Sequence, residues 1–374
     1  MPDDAEGTNY QDLSFKLYFP TAKNGTFSLW GPGQIDRSGQ TAETDSLKWE
    51  YMQDKEEQDV KQYMGAVGIN HNMKVGKNAF LKTTFATTVS GPDMHTERMD
   101  NQIQLIPQNI LQNTNWNFIL SSSLSNKYSN RHTNKTGIQI TGLKYDLLLK
   151  EASSGRPIQT ITDESGFTSL LSAYTGSSFR LSDTRTFNPG LSFQWFTLNS
   201  RYSIEPRAGL QWNFKANQSV GLSYGLHSRL EMIHYYFSKS ATGELINKNL
   251  DFTRSHHLVL SYDRNINNTC HLKIEPYIQR LYNIPIIKDS TFSFINLQQD
   301  WFITDKLENK GKGINYGIDI TFEKYMSAGY YYMFTASLFD SKYKAGDRQW
   351  RNTRYNRNYA FNLLGGKSTE CNQL

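Results

Sequence analysis

The stretch that decides the fold runs from residue 314 to residue 338 and reads INYGIDITFEKYMSAGYYYMFTASL. Bulky apolar residues occupy every second position of its first part, and the positions between them are small or polar. Successive side chains of a β-strand point to opposite faces of the sheet, so this period indicates a strand with one apolar and one polar face. A turn at 326–329 leads into a second alternating segment at 330–338. The stretch therefore predicts a long β-hairpin.

Alternation of the same kind recurs along the whole chain. A second clear pair of strands covers 207–214 and 220–227, and another begins at 13–19 and 27–29. Weaker versions lie at 62–72, 79–88, 116–128, 136–148, 167–181, 187–198, 256–263 and 271–281, with a last strand at 358–364. We expect about fifteen strands, and no linker rich in Pro, Gly or Ser divides them. We therefore interpret residues 1–374 as a single domain.

The connections between these strands differ in length at the two ends of the predicted sheet. Short turns lie at 21–25, 75–78, 181–184, 215–218, 265–269 and 326–329. Long polar connections lie at 32–60, 90–115, 150–165, 238–253, 285–312 and 341–357. Short turns on one side and long loops on the other are typical of an antiparallel transmembrane β-barrel. Residues 46–62 contain good helix formers without a continuous apolar stripe, so we interpret them as a solvated, partly helical loop.

Composition excludes several classes of protein. A membrane helix needs about 20 consecutive apolar residues, whereas the longest apolar run is 330–334 and the mean hydropathy is −0.62. The 374 residues include 22 Tyr, 21 Phe and 7 Trp, which is too aromatic for a disordered chain. The net charge of +5 is not clustered, so we expect no nucleic-acid partner. Cys270 and Cys371 are too far apart for a metal motif or a disulfide framework, and no signal peptide is visible.

Two regions carry a resemblance to a known family. They are SIEPRAGLQW and LSYGLHSRL within 203–230, and, within 311–367, GKGINYGIDITFEKY, GYYYMFTASLFDSKYK, WRNT and LLGGK. This sequence resembles the barrel strands of TonB-dependent outer-membrane receptors of Gram-negative bacteria, in the variety that carries a carboxypeptidase-regulatory-like domain ahead of the plug. The resemblance extends over residues 10–367. It implies a barrel of the large, 22-stranded type and uptake of a scarce or bulky ligand such as a siderophore, vitamin, glycan or peptide.

Several features of that family have no counterpart in this sequence. Members open with a signal peptide and a plug domain, preceded by the box that the TonB protein grips, and their barrels continue beyond the strand that here precedes 367–374. We therefore expect a barrel fragment without plug and last strands, which contacts TonB only through a plug outside this chain. Residues 1–374 alone are expected not to transport. The expected partners are outer-membrane lipid and an unknown ligand.

Alternation also predicts which residues face the barrel interior. Ile318, Ile320, Leu210 and Leu222 are expected to meet lipid, and Ser223 to face the lumen. The other lumen-facing candidates are Arg207, Gln211, Asn213, His227, Arg229, Asp319 and Glu323. For ligand contacts in the long loops we name the tryptophans Trp30, Trp49, Trp301 and Trp350. Binding residues concentrate on loops held by a rigid scaffold.

No pattern in the sequence indicates catalysis or metal binding. Gly-x-Ser-x-Gly, His-Glu-x-x-His and phosphate-loop motifs are absent, so we expect no enzyme activity and no cofactor. His256 and His257 are adjacent, so in a strand their rings face opposite sides and cannot share a metal. In Glu205-Pro206-Arg207 we interpret Pro206 as the start of a strand at the outer rim rather than reading the flanking charges as an ion pair.

The sequence supports one main interpretation and two rivals. The main interpretation is a TonB-energised receptor and transporter barrel in the outer membrane. The first rival is a passive porin or an adhesin-type barrel, and the second is a soluble all-β binding protein. The identity of the ligand does not follow from the fold, because one scaffold serves many functions.

Overall fold

The computed structural model describes residues 8–152, 157–240, 242–297 and 301–368. Within these ranges the chain forms one sheet of 16 strands. In chain order they are β1 (Asn9–Pro20), β2 (Thr26–Gln40), β3 (Glu56–Val75), β4 (Ala79–Met99), β5 (Leu105–Ser129), β6 (His132–Ala152), β7 (Ile158–Arg180), β8 (Arg185–Phe196), β9 (Arg201–Lys215), β10 (Gln218–Arg229), β11 (Thr253–Asn265), β12 (Cys270–Ile287), β13 (Leu307–Ser327), β14 (Tyr330–Lys344), β15 (Trp350–Asn352) and β16 (Tyr359–Lys367). Short 3-10 helices lie at Ser46–Lys48, Met52–Lys55, Ile233–Phe237 and Phe294–Asn296. None of the described helices is long and apolar enough to cross a membrane.

From β1 to β15, each strand pairs antiparallel with the next along the chain. At the end of this meander, β15 and β16 both pair with β14, one at Lys342–Lys344 and the other at Tyr330–Leu338. They therefore share one position in the sheet, which agrees with the expected strand number. Among the described residues, β1 pairs only with β2 and β16 only with β14. Both outer strands thus present unpaired backbone groups.

The short turns are where the sequence predicts them. The connection between β13 and β14 is a tight hairpin turn in which Ala328 and Gly329 have positive φ angles of 54° and 82°. Two positive φ values are typical of the type I′ turn that matches the twist of paired strands. We call this end of the sheet the turn end and the opposite end the loop end.

The loop end differs from the prediction, because several strands run further than their apolar pattern does. Residues 90–115 belong mostly to β4 and to β5, which is 25 residues long. Residues 150–165 belong largely to β6 and β7, with 153–156 outside the described residues. The two long loops predicted there are therefore wrong. Beyond the apolar stretch the two faces no longer alternate cleanly, because the charged Asp93 and the polar Gln112 lie on the otherwise apolar face and Leu111 lies on the opposite one, while the backbone ladder continues.

Long connections remain at 41–55, 230–252 and 288–306, and around the short β15. The first contains the 3-10 helices Ser46–Lys48 and Met52–Lys55 and then enters β3 at Glu56, so the prediction of a partly helical loop over 46–62 holds only for its first part. The sequence does not reveal the short connection 197–200 between β8 and β9, which also lies at the loop end.

Toward the turn end, the sheet has one apolar and one polar face on every long strand. The register places Leu120 opposite Phe85 and Ile140, and it places Leu210 opposite Leu222. Exposed apolar residues on this face extend from β1 to β16 and include Leu17, Ile69, Phe118, Phe193, Leu260, Tyr316 and Phe361. Ile318 and Ile320 lie on the same face, and Gln211, Ser223 and Asp319 lie on the other, as the alternation predicts.

Candidate ligand-binding region at the loop end

All of the predicted lumen-facing residues lie on the polar face, but they form two separate groups. Arg207, Gln211 and Asn213 are on β9 and His227 and Arg229 on β10, whereas Asp319 and Glu323 are on β13. Their neighbours across the ladder are small or charged: Arg207 is opposite Gly225, Asp319 opposite Glu275, and Glu323 opposite His271. Whether this face encloses a lumen stays a prediction.

Near Arg207 lies the carboxylate of Glu205, whose burial the sequence alone does not predict. Glu205 is 1% exposed, and its carboxylate accepts hydrogen bonds from Gln194 Nε2 at 2.7 Å, from Arg207 Nη2 at 2.8 Å and from the Ser228 hydroxyl. A buried charge is tolerated when it is paired and hydrogen-bonded in this way. The three donors come from three neighbouring strands, so Glu205 fixes the polar face where β8, β9 and β10 meet.

The structure corrects the interpretation of Pro206. It lies inside β9 rather than at its start, and its flanking residues do form an ion pair, contrary to the prediction. The ladder between β9 and β10 ends at the pair Arg207 and Gly225. Proline has no amide proton to donate. Because the ladder to β10 has already ended before Pro206, this residue does not remove a backbone hydrogen bond between the two strands. The bond between Ser228 and Glu205 then links the two strands through side chains.

A second polar group lies on β12 and β13. Glu275 and Asp319 are directly opposite each other, and Lys273 Nζ lies 2.9 Å from Glu275 Oε2. Nearer the turn end, His271 contacts Glu323 at 3.9 Å. Like charges that face each other across a ladder repel, so the Lys273 ammonium reduces the cost of the acidic pair.

The longest connections do not extend into solvent but fold onto the polar face. Residues of 230–252 and 288–306 pack against β6 and β8 at the loop end. The buried members of this core are Tyr145, Leu147, Phe196, Tyr235, Tyr236, Phe237, Leu250, Phe252, Ile284, Phe294, Ile303 and Leu307. Phe196 is 1% exposed, whereas its neighbour Trp195, on the apolar face, is 41% exposed. We call the two connections together the packed loops.

Hydrogen bonds tie the packed loops to each other and to the sheet. Asn247, which is 1% exposed, donates from Nδ2 to the Asp305 carbonyl at 3.0 Å and accepts from the Leu307 amide at 2.8 Å. Ser238 donates to the Ile303 carbonyl at 3.0 Å. Lys239 also forms an ion pair of 2.7 Å with Glu164 on β7. These contacts therefore hold the packed loops to each other and against the sheet.

Titratable groups lie beneath this core. Burial raises the pKa of Glu231, although the Thr253 hydroxyl at 2.6 Å and the Arg229 guanidinium at 3.3 Å both favour its charged form. Burial, followed by the negative charge of Glu231, raises the pKa of Tyr236. The carboxylate and the phenol thus share an environment in which negative charge is disfavoured.

The four tryptophans named as loop contacts lie in different settings. Trp30 is not in a loop: it lies inside β2, where its indole covers Gly68 so closely that a Cβ there would lie 2.5 Å from the ring. The sequence misleads here because Gly31-Pro32-Gly33 suggests a turn, whereas β2 continues through it. Trp301 stacks on His234 with ring centroids 4.2 Å apart. Trp49 lies under Lys55 and donates to the Glu43 carbonyl at 2.6 Å, and Trp350 begins β15, exposed.

The histidines divide between the two faces as adjacency predicts. His257 packs on His227 with ring centroids 4.7 Å apart, whereas His256 contacts the Tyr224 hydroxyl at 2.9 Å through Nδ1. Within the described ranges no group of three or more His, Cys, Asp or Glu residues could hold a metal ion. Cys371 lies outside the described residues.

Comparisons with known proteins identify the fold. No protein-family model and no curated protein matches the chain. Among solved structures, the chain is similar to the ferric-catecholate import receptor Fiu of Escherichia coli K12, with a TM-score of 0.68, 10% identity, and coverage of 97% of this chain and 62% of that one. It is also similar to the ferric yersiniabactin uptake receptor FyuA of Yersinia pestis, with a TM-score of 0.69, 11% identity, and coverage of 96% and 56%. A third similar structure is the RagAB peptide transporter, with a TM-score of 0.59, 11% identity, and coverage of 93% and 48%.

These similarities show that the chain has the fold of the barrel of TonB-dependent outer-membrane receptors. The predicted fold class, all-β and antiparallel, is confirmed, and so is the resemblance at the level of the fold. The chain spans less than two thirds of each of these structures.

Proposed function

We propose that this chain is the wall of an outer-membrane receptor that takes up a scarce or bulky ligand with energy supplied by TonB. The observation that carries the proposal is the combination of a continuous exposed apolar face with a polar face partly covered by folded loops. A bilayer satisfies no backbone polar groups, so among sheets only closed ones can span it. The apolar face then meets lipid, and the polar face, from Glu205 to Glu323, surrounds the path of the ligand.

The ligand contacts are proposed at the loop end, at residues outside the buried core of the packed loops. Trp49 and Trp350 are the candidates there, because both lie outside the buried core, and Trp350 is 49% exposed. Trp301, stacked on His234 in the packed loops, would contact a ligand only at their surface. Ferric chelates and peptides are what the similar structures import. For this chain, the proposal is limited to a ligand that loops can enclose.

TonB would act through a plug outside this chain, and no catalytic role is proposed. The strands at the two edges, β1 and β16, need further strands to close the barrel, because unpaired backbone groups in hydrocarbon cost several kcal/mol each. We therefore expect that residues 1–374 expressed alone do not give TonB-dependent uptake.

Uptake by cells that carry the protein tests the proposal. Accumulation of ligand should disappear when TonB is deleted, and Trp350→Ala should weaken binding, whereas Trp116→Ala on the apolar face should leave it unchanged. Uptake that persists without TonB would favour a passive porin. A chain that folds in water without detergent would favour the soluble binding protein instead.

A further inference from the structure

On β11 to β14 the apolar face ends in a defined row of residues toward the loop end. Leu258 and Ile278 are directly opposite each other in this row, which continues into Tyr316 on β13. The last member of the row is Asp340 on β14, and it accepts a hydrogen bond of 2.7 Å from the Tyr316 hydroxyl. The row is therefore the boundary at which the apolar band meets charged surface.

Two rows of cations follow this boundary on the same face. In the first row, Arg280 and Lys342 lie on either side of Ile314. In the second row, Lys312 is directly opposite Lys344. The two rows are two residues apart along the strands, which corresponds to about 7 Å. We call Arg280, Lys312, Lys342 and Lys344 the basic patch.

Three cations of the basic patch have no partner within the described ranges. Arg280, Lys312 and Lys344 form no ion pair there, and the first two are exposed. Lys342 is the exception, because its Nζ lies 2.7 Å from Asp340 Oδ2. Four cations against this one carboxylate leave the patch with a net charge of +3.

The surrounding carboxylates do not neutralise this charge. Each of them pairs with a cation outside the patch: Asp251 with Arg254, Asp289 with Lys288, Glu308 with Lys310, and Asp347 with Arg351. Asp305 belongs to the packed loops on the polar face, where its carbonyl binds Asn247. The three unpaired cations are thus available to an anionic ligand.

The other side of the sheet has the reverse balance of charge at the same end. A cavity between β1 and β6 is lined by Asp12, Asp93 and Asp146 against the single cation Lys61. Positive charge is therefore concentrated next to the apolar band of β11 to β14 and is not a general property of the loop end.

We propose that the basic patch binds the two phosphate groups of one lipid A-type glycolipid, whose acyl chains lie on the apolar band. The inference rests on the proposed function, which places the loop end on the outer side of the membrane. A phosphomonoester carries about −1.5 to −2 charges at pH 7, so two of them match the charge of the patch. A phosphodiester lipid such as phosphatidylglycerol supplies a single charge. Arg280 can bind one phosphate in a bidentate manner, and the lysines act as point charges.

Removal of the second row of cations tests the proposal. Protein purified from outer membranes and stripped of lipid in detergent should bind one bisphosphorylated lipid A, as counted by native mass spectrometry. Lys312→Gln combined with Lys344→Gln should weaken this binding about tenfold or more, because two charge-assisted contacts are lost. The matched control is Lys61→Gln, on the same face and at the same end of the sheet but opposite Asp93, and it should bind as the parent does. Undiminished binding by the double variant overturns the proposal.

The number of phosphates required is measured on the parent protein. Lipid A with one phosphate should bind at least fivefold more weakly than the bisphosphorylated form, and phosphatidylglycerol should bind at least tenfold more weakly. Equal binding of either lipid also overturns the proposal, and this result does not depend on the folding of any variant.

Membrane location is measured separately with a spin label at Leu222→Cys, on the apolar face of β10, after Cys270→Ser and Cys371→Ser. The label should collide with oxygen more often than with a water-soluble nickel chelate. If it collides mainly with the chelate, the proposed function fails. If it lies in lipid while the phosphate number has no effect, only the assignment of the basic patch fails.

Discussion

The connections 41–55 and 230–252 leave the same end of the same sheet and end up in opposite environments. The first keeps Leu47 94% exposed, and its two 3-10 helices contain no buried residue. The second buries Tyr236 and Phe252 completely. Their sequences explain the difference: IHYYF at 233–237 concentrates apolar and aromatic side chains, whereas 41–55 spreads a few among charges. A connection packs against the sheet when its own sequence supplies the apolar side chains of a buried core.

This difference divides the loop end by function. The packed loops occupy the polar face over β6 and β8, so they restrict where a ligand can approach. The 41–55 connection is held by its own hydrogen bonds, from the Glu43 amide to the Asp54 carbonyl and from Trp49 to the Glu43 carbonyl, rather than by a large buried core. Elements that move on binding come from the less stable parts of a structure. Under the proposed function, we expect the 41–55 connection to change its conformation when a ligand binds. We expect the packed loops to discriminate between ligands by their shape.

The largest effect is expected from Phe252→Ala. Removal of a fully buried aromatic side chain leaves a cavity, which costs about 3–5 kcal/mol. We expect the packed loops to open, with amide hydrogen exchange and protease cleavage increasing across 230–252. Leu47→Ala is the control and should change stability by less than about 0.5 kcal/mol. If both variants left 230–252 equally protected, the packed loops would not be held by their core.

The contrast between buried and exposed apolar side chains can also be tested in the strands of the sheet. Leu222 and Ser223 are neighbours on β10 that point to opposite faces. Leu222→Arg would place a charge in lipid and should cost about 2–4 kcal/mol, whereas Ser223→Arg on the polar face should cost much less. Folding yield in vesicles, followed by heat modifiability, measures the difference. Equal losses for both variants would show that the apolar face does not meet lipid.

The alternation in the sequence is sufficient to predict where the strands lie and which way their side chains face, because facing follows directly from a period of two. It does not predict how far β4 to β7 extend toward the loop end. It also places the turns, where residues such as Gly329 provide a positive φ. It cannot predict where the packed loops dock, since the apolar residues of 233–237 favour burial but do not indicate the distant strands against which they pack. Glu205 escapes prediction for the same reason: its burial depends on donors from β8 and β10.

A smaller effect is expected from Asn247→Leu. The side chain has no exposed route to water, and its loss would leave the Leu307 amide and the Asp305 carbonyl without their partner. An unsatisfied buried polar group costs about 1–3 kcal/mol. Opening of the packed loops should increase in hydrogen exchange, although less than in Phe252→Ala. Asn101→Leu, in the exposed turn between β4 and β5, is the control and should leave exchange in the packed loops unchanged.

The smallest effect concerns pH and Glu231. Burial raises the pKa of its carboxyl in the packed state above the ordinary value of 4.5, so the packed state favours the protonated form. The stabilisation of the packed state by protonated Glu231 is fully present below the ordinary pKa of a glutamate, and it is lost as the pH rises through the raised pKa of Glu231 in the packed state. Each pH unit that separates the pKa values of the packed and open states corresponds to about 1.4 kcal/mol. The packed loops should accordingly exchange faster at neutral pH than at pH 4, after correction for the intrinsic exchange rate.

Two variants assign this pH dependence to a particular carboxyl group. Glu231→Gln keeps the shape and removes the titration, so the stability of its packed loops should be independent of pH in this window and higher at pH 7 than in the parent. Glu244→Gln, at an exposed position of the same connection, should keep the pH dependence of the parent. A Glu231→Gln protein with an unchanged slope would show that the pH dependence does not come from the Glu231 carboxyl.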